Sequence, residues 1–238
     1  MNYSDKILPN QNENKKLYTD SEFFNDRLYS VILDSCQLRD FDEQYSFKVH
    51  KDFSMQSMSV SPIYFSMLET LISIKPYKNI LEIGTFLGAT SVRLSNIVGK
   101  NGRITTIEKY DQFADIAREN IANNCKFENV ELIVEDAMEA LKNMNQIKKF
   151  DFIFLDGNKE RYYEYIMLID ELIEDGGMIV VDDIFFHGDA LNEKPSTEKG
   201  MGVKRVLRSL EGLTKYKSTV LPIGNGCLLL TRKSEDEL

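Results

Sequence analysis

Cysteine is scarce in this chain. Cys36, Cys125 and Cys227 are the only three among 238 residues, they lie far apart, and they form no C-x-x-C pair. That usage excludes a disulfide framework or a structural zinc site as the organising device and fits a reducing compartment. Long apolar runs are lacking too: Gly177-Met178-Ile179-Val180-Val181 is of strand size, far below the roughly 20 apolar residues that a membrane span requires. The opening Met1-Asn2-Tyr3-Ser4-Asp5-Lys6 has no apolar signal region, so the expectation is a cytoplasmic protein without membrane contact. Positive charge is in deficit. With 29 Lys and Arg against 38 Asp and Glu, the formal net charge of −9 disfavours a broad phosphate-binding surface, although a local basic patch would suffice for nucleic acid. A small-molecule partner is the expectation, ahead of nucleic acid.

What is present suits a single α/β domain: 42% hydrophobic and 28% charged residues, in a chain long enough for one extended core. Residues 1–19 are polar and rich in Asn and Lys, and read as a flexible arm. Residues 20–75 read as a helical segment. Phe24, Leu28, Val31 and Ile32 recur at helical spacing behind Asp20 or Ser21 as a cap. Ser61-Pro62 then opens a second helix with Tyr64, Phe65, Met67, Leu68, Leu71 and Ile72 on one face.

From Lys78 onward, strands and helices alternate. Strands are predicted at Asn79–Ile83, Arg103–Ile107, Val130–Val134, Phe150–Leu155 and Met178–Val181. The intervening helices are Ala89–Ile97, one capped by Asp111 and running to about Asn123, one near Met138–Met144, and one extending to about Ile173, where Gly176-Gly177 breaks the pattern. This alternation implies a mostly parallel sheet covered on both faces. Ser218–Pro222 and Cys227–Thr231, joined through Ile223-Gly224-Asn225-Gly226, signal an antiparallel hairpin at the end. Asp189 to Gly202, with Pro195, Gly200 and Gly202, reads as a polar mobile loop that helps to set specificity.

In an open parallel sheet, ligands bind beyond the carboxyl ends of the strands, so the residues leaving each strand carry the functional information. The first strand leaves through Glu82-Ile83-Gly84-Thr85-Phe86-Leu87-Gly88-Ala89-Thr90, a glycine turn before a helix N-terminus that suits an anion. Its spacing is G-x-x-x-G, not the G-x-G-x-x-G dinucleotide fingerprint. The second ends in Glu108, placed either to accept ribose hydroxyls or as a solvated strand end. The third leaves through Glu135-Asp136-Ala137-Met138, where a small residue and a backbone N–H can lie along an adenine edge. The fourth delivers Asp156, with Lys159 three residues on, and the fifth delivers Asp182 and Asp183. Strands lie about 4.8 Å apart, so these three acids converge and repel unless a hard cation neutralises them. The alternative is that Asp156 caps a helix while Asp182 and Asp183 open a wet loop. His187 either lines the same pocket or is an ordinary loop residue. Phe185, Phe186, Met55, Met58 and Met201 are core residues by type, yet the first four flank these strand ends.

From about Met58 to Lys233 the chain resembles the metal-dependent O-methyltransferases that include the catechol and caffeoyl-CoA enzymes and many bacterial relatives. The resemblance rests on Glu82-Ile83-Gly84-Thr85-Phe86, on Asp156-Gly157-Asn158-Lys159 with Tyr162, on Asp182-Asp183-Ile184-Phe185-Phe186-His187-Gly188, and on Leu221-Pro222-Ile223-Gly224-Asn225-Gly226. Met58-Ser59-Val60-Ser61-Pro62 is similar to the segment that covers the cofactor in bacterial members. The resemblance implies a Rossmann-like, seven-stranded, mostly parallel sheet at 76–238, with 20–75 capping the site. It implies that Met58, Glu82, Gly84, Thr85, Gly88, Thr90, Glu108 and Asp156 hold S-adenosylmethionine, with Asp136, Ala137 and Met138 near its adenine. It further implies that Asp156, Asp182 and Asp183 bind a divalent metal (Mg²⁺, with Mn²⁺ or Ca²⁺ as alternatives), that Lys159 is the base, and that the chain is a homodimer. Three departures stand out: Thr90 replaces a usual serine, Ala89 a common tyrosine, and Asp183 a common asparagine. The expected reaction methylates a small-molecule hydroxyl, catechol-like or phenolic. The alternatives are a hydroxylated tRNA uridine as acceptor, or a non-catalytic binding protein, against which the intact Asp156, Lys159, Asp182 and Asp183 argue.

Overall fold

Seven strands form one sheet: β1 (Asn79–Ile83), β2 (Arg103–Glu108), β3 (Val130–Val134), β4 (Phe150–Leu155), β5 (Ile173–Val181), β6 (Tyr216–Leu221) and β7 (Cys227–Arg232). The computed structural model describes residues 22–38, 44–52, 60–144 and 149–237. The strand order is β3-β2-β1-β4-β5-β7-β6, with β1 to β5 parallel and β7 antiparallel to both β5 and β6. The chain therefore winds outward from β1 to β3, returns to β4 beside β1, and winds the other way. The reversal leaves a crevice between the tips of β1 and β4, the position where open α/β sheets bind ligands.

Strand alternation divides the core in two. Ile80, Phe152, Phe154, Val180 and Cys227 point to one face and pack with Tyr64, Phe65, Leu68 and Ile72 of α2 (Pro62–Ile74) and with Leu94 of α3 (Ala89–Val98). Leu81, Ile83, Ile153, Leu155, Ile179 and Val181 point to the other, against Tyr162, Tyr165 and Ile166 of the helix Tyr162–Ile169 and Val203 and Val206 of the helix Glu198–Ser209. Each such side chain, fully withdrawn from water, contributes about 1.5–3 kcal/mol before conformational entropy is charged against it. α2 begins as its sequence demands. Ser61 caps it by accepting the Tyr64 N–H at 3.2 Å, and Pro62 occupies the first helical position.

Three predictions about elements need correction. The helix after Asp156, α6 (Tyr162–Ile169), stops four residues early, and β5 starts at Ile173 instead of Met178. Phe150 pairs with Ile173 while Phe152 pairs with Met178, so residues 174–177 bulge out of the ladder, helped by the positive φ of 69° at Gly176. The supposed loop from Asp189 to Gly202 contains the start of α7 (Glu198–Ser209), capped by Thr197, whose hydroxyl accepts the Gly200 N–H at 2.9 Å. Asp111 is the first residue of α4 (Asp111–Asn124), and Tyr110 holds the cap position. An acid there suits the positive end of the helix dipole. The first helix, α1 (Glu22–Cys36), forms as expected, but Leu28, Tyr29 and Val31 remain 45%, 39% and 52% exposed. The arm at 1–19 and the Asp20 or Ser21 cap lie outside the described residues. Between β3 and β4 lies α5 (Ala137–Asn143).

The hairpin β6–β7 is anchored to the end of α6 by a single acid. Asp170 accepts from Lys215 Nζ at 2.8 Å, Tyr216 Oη at 2.6 Å and Arg232 Nη1 at 2.7 Å. Burial alone would raise the Asp170 carboxyl, but Lys215, Tyr216 and Arg232 outweigh it and hold the group below its usual value. Its stabilising contribution is therefore complete above the unfolded value near ~4 and is lost as pH falls through the lower folded value. Asp170→Asn should lower unfolding free energy by about 2–4 kcal/mol in denaturant titrations at neutral pH, and the gap to the parent should close below about pH 4. A variant as stable as the parent at neutral pH would show that the cluster is dispensable.

Candidate active site

The crevice is built on a close approach that only glycine permits. Gly84 leaves β1 at φ 104°, and a Cβ there would lie 2.7 Å from the Asp156 carbonyl carbon and 3.1 Å from Gly157 N, with the Asp156 carbonyl oxygen nearer still. The Asp156 N–H donates to Ile83 O at 2.9 Å, so the tips of β1 and β4 are locked backbone to backbone. Gly88 then caps α3, whose first turn, Ala89 and Thr90 included, presents N–H groups at the crevice.

Glu82 and Thr85, expected among the cofactor contacts, send their side chains inward. Glu82 is fully buried; Ser91 Oγ donates to its Oε2, as does Thr106 Oγ1 at 2.7 Å, and Oε1 has no partner among the described residues. Burial, against these two hydrogen bonds, pushes the Glu82 carboxyl up to about 7. Thr85 Oγ1 lies 2.5 Å from Thr106 Oγ1. This network braces the turn from beneath.

Glu108 sits at the tip of β2, its Oε2 accepting the Phe86 N–H at 2.8 Å and its Oε1 the Tyr110 N–H at 2.9 Å. Burial raises its carboxyl and the backbone donors oppose that rise. Each carboxylate oxygen accepts more than one hydrogen bond, so a diol retains a place on Glu108. Asp136 caps α5 through the Met138 N–H at 2.9 Å and pairs with Lys109 at 2.9 Å, which holds its carboxyl below the usual value. Ala137 and Met138 follow, half-buried, in the first turn of that helix. At the turn before Ala89, the Phe86 ring packs edge-on against Phe113 at 5.1 Å.

The tips of β4 and β5 bring the three predicted acids together. Leu155 pairs with Val181, and the Asp182 N–H donates to Leu155 O at 3.0 Å, so Asp156 and Asp182 emerge side by side. Carboxylate oxygens of Asp156, Asp182 and Asp183 lie within 4.8 Å of one another. Asp183 reaches the cluster from a left-handed conformation at φ 56°, which aspartate tolerates better than most residues. Lys159 Nζ pairs with Asp156 Oδ1 at 2.6 Å and with Asp183 Oδ2 at 3.0 Å. Burial would lower the Lys159 ammonium, but Tyr162, Asp156 and Asp183 together hold it above its ordinary value. Asp182 is pushed up to about 8, by burial first and by Asp156 and Asp183 after it. Burial also raises Asp156, with Lys159 opposing. Two like charges at such separations repel by about 3–4 kcal/mol at an effective dielectric near 20. One ammonium against three carboxylates leaves the cluster short of positive charge, and its all-oxygen donor set fits a hard divalent cation.

Sequence reasoning placed Tyr64 only on the core face of α2. It packs beside Cys227 with its hydroxyl buried, and the negative charge of Asp182 and Asp156, after burial, raises its ionisation far above normal. His187 is exposed at φ 52°, beyond the acids. Phe185 packs on Gly226, and Met201 is 44% exposed. Met55 and Met58 lie outside the described residues.

A sheet ordered β3-β2-β1-β4-β5-β7-β6, with a glycine turn leaving β1 and an acid ending β2, is the plan of a class I methyltransferase. The sequence profile of the O-methyltransferase family matches residues 35–233. A catechol O-methyltransferase of Niastella koreensis is 30% identical over 169 residues, covering 70% of this chain and 76% of the relative. A probable caffeoyl-CoA O-methyltransferase of Dictyostelium discoideum is 24% identical over 231 residues, 95% of this chain and 98% of that one. Among solved structures, the O-methyltransferase TomG of Streptomyces achromogenes, in complex with S-adenosylmethionine, superposes with a TM-score of 0.76 at 26% identity, covering 86% of this chain and 95% of TomG. The chain belongs to the O-methyltransferase family and is an S-adenosylmethionine-dependent O-methyltransferase of class I.

The charge imbalance has a thermodynamic signature. A carboxyl group titrating near 8 when folded and near ~4 when unfolded binds more protons in the folded state between those values, so stability falls as pH rises across that window. With chelator present, unfolding titrations from about pH 5 to 8 should show this decline, and Asp182→Asn should flatten it. An unchanged slope in the variant would show that Asp182 does not carry the strain.

Proposed function

We propose that this methyltransferase is metal-dependent and methylates a hydroxyl of a small molecule bearing adjacent oxygens, such as a catechol or a hydroxy-carbonyl compound. The observation that carries the reading is the Asp156, Asp182 and Asp183 cluster at the same strand tips as the Gly84 turn. Those three acids would hold the cation, which supplies Lewis acidity that lowers the acceptor hydroxyl's pKa and fixes its orientation. S-adenosylmethionine supplies an electrophilic methyl group, and Gly84, Gly88, Thr90 and Glu108, with Asp136, Ala137 and Met138 toward the adenine, are the residues placed to hold it. Holding donor and acceptor in one geometry supplies much of the acceleration.

Lys159 would take the acceptor proton at Nζ once deprotonated, and a divalent cation on Asp156 and Asp183 would favour that neutral form by drawing off the two carboxylates that hold the ammonium here. The Lys159 side chain is 14% exposed and lies in the turn that follows Asp156. The net charge of −9 and the acidic cluster support a small acceptor over RNA. The exposed Leu28, Tyr29 and Val31 of α1 support a homodimer with this helix in its interface.

Excess chelator and, separately, Asp156→Ala should each cut turnover of catechol-type acceptors by about a hundredfold or more while S-adenosylhomocysteine binding persists. Full turnover in either case would sink the metal-dependent reading. Turnover only with hypomodified tRNA would replace the acceptor class and leave the metal reading standing. Light scattering should give twice the chain mass, and a monomeric mass would refute the dimer.

A further inference from the structure

Lys159 lies in a short 3₁₀ turn, Lys159–Arg161, which follows β4 and is capped by the Asn158 side chain accepting the Glu160 N–H at 3.3 Å. Such a turn is a weak mount for a group that must meet two carboxylates within hydrogen-bond distance. Its outer support is helix α7. A Cβ on Gly202 would lie 2.7 Å from Glu160 Cα and 2.9 Å from Glu160 C, with the Lys159 carbonyl oxygen nearer still. All three are backbone atoms and cannot rotate away. Helix and turn therefore touch main chain to main chain, at a distance that any side chain larger than hydrogen forbids.

Helix α7 is itself held at two places. Val203 and Val206 are fully buried in the core beneath the sheet. At its start, Asp189 accepts the N–H groups of Ser196 and Thr197 at 2.8 and 3.0 Å and their hydroxyls at 2.9 and 2.7 Å. Asp189 closes the stretch that begins at Asp182 and Asp183, and its N–H donates to Phe186 O at 3.0 Å. The helix thus spans the two strand-end segments that supply the Lys159 clamp, the Lys159 turn from β4 and the Asp183 loop from β5.

We infer that Gly202 of α7 is a positioning residue for Lys159: its missing side chain sets how close the Lys159 turn stands to Asp156 and Asp183, and hence where the proton-accepting amine meets the acceptor hydroxyl. The inference rests on the reading of Lys159 as the base. A methyl group at 202 moves either the turn away from α7, or α7 together with the Asp189 anchor of the Asp183 loop, and both displacements disturb the same clamp. Binding of the methyl donor depends on Gly84, Glu108 and Asp136, which lie on other elements.

Gly202→Ala should lower kcat roughly tenfold to a hundredfold, the scale of an ångström-sized misplacement of a reacting group, with S-adenosylhomocysteine affinity unchanged. On a Lys159→Ala background, the same substitution should cost less than about twofold of the residual rate, because its effect runs through the amine already removed. Gly212→Ala, where an added Cβ meets nothing within 4 Å, serves as the unaffected control. Wild-type kcat in Gly202→Ala, or an equal penalty with and without Lys159, would overturn the inference. A Gly202→Ala protein that fails to fold would overturn it as well, since the clash would then not be confined to the clamp. Full activity in Lys159→Ala alone would remove the base reading. An impaired Lys159→Ala with an additive Gly202→Ala would remove only the positioning role.

Discussion

Repulsion among three carboxylates at the tips of two neighbouring strands is the constraint on which the rest of this structure depends. Parallel pairing of β4 and β5 forces Asp156 and Asp182 to emerge side by side, and Asp183 turns back to join them. A protein that concentrates like charge in a half-buried place spends stability there, and the apolar core on both faces of the sheet must cover the cost. Lys159 relieves part of the strain by bridging Asp156 and Asp183. The part left over is an affinity for further positive charge, which turns a destabilised corner of the fold into a candidate binding site.

The same corner is where the chain's own departure from its relatives has a visible consequence. Aspartate stands at position 183, where the family resemblance leads to the expectation of asparagine. Its Oδ2 does not point away as a surplus charge but takes one side of the Lys159 ammonium. The extra acid thus joins the acid triad and also restrains the amine. A cation bound by the triad would therefore compete with Lys159 for Asp183, and its binding would be coupled to the protonation of the amine through that residue.

Much of this architecture was legible in residue order, for a physical reason. Central parallel strands are buried on both faces, so Asn79–Ile83 and Phe150–Leu155 are apolar enough to be bounded to the residue, and Asp156, which follows the second of them, stands out. Helix α7 was missed because Gly200 and Gly202 look like loop glycines, whereas Gly202 serves close packing. Val203, Val206, Leu207 and Leu210 carried the helical period that would have revealed it. The early start of β5 was hidden by a bulge whose glycines read as a strand boundary. Glu82 and Thr85 lie within the motif, but a motif does not tell which way a side chain points; pleat and the partners Ser91 and Thr106 turn them inward.

The central claim is that the acid triad is a cation site and that Lys159 partly stands in for the cation. Anomalous diffraction from crystals grown with Mn²⁺ and S-adenosylhomocysteine tests it directly. The account predicts one anomalous peak ligated by Asp156, Asp182 and Asp183, with Lys159 Nζ withdrawn from its 2.6 Å contact with Asp156. No peak at saturating Mn²⁺, with Lys159 still bridging Asp156 and Asp183, would contradict it.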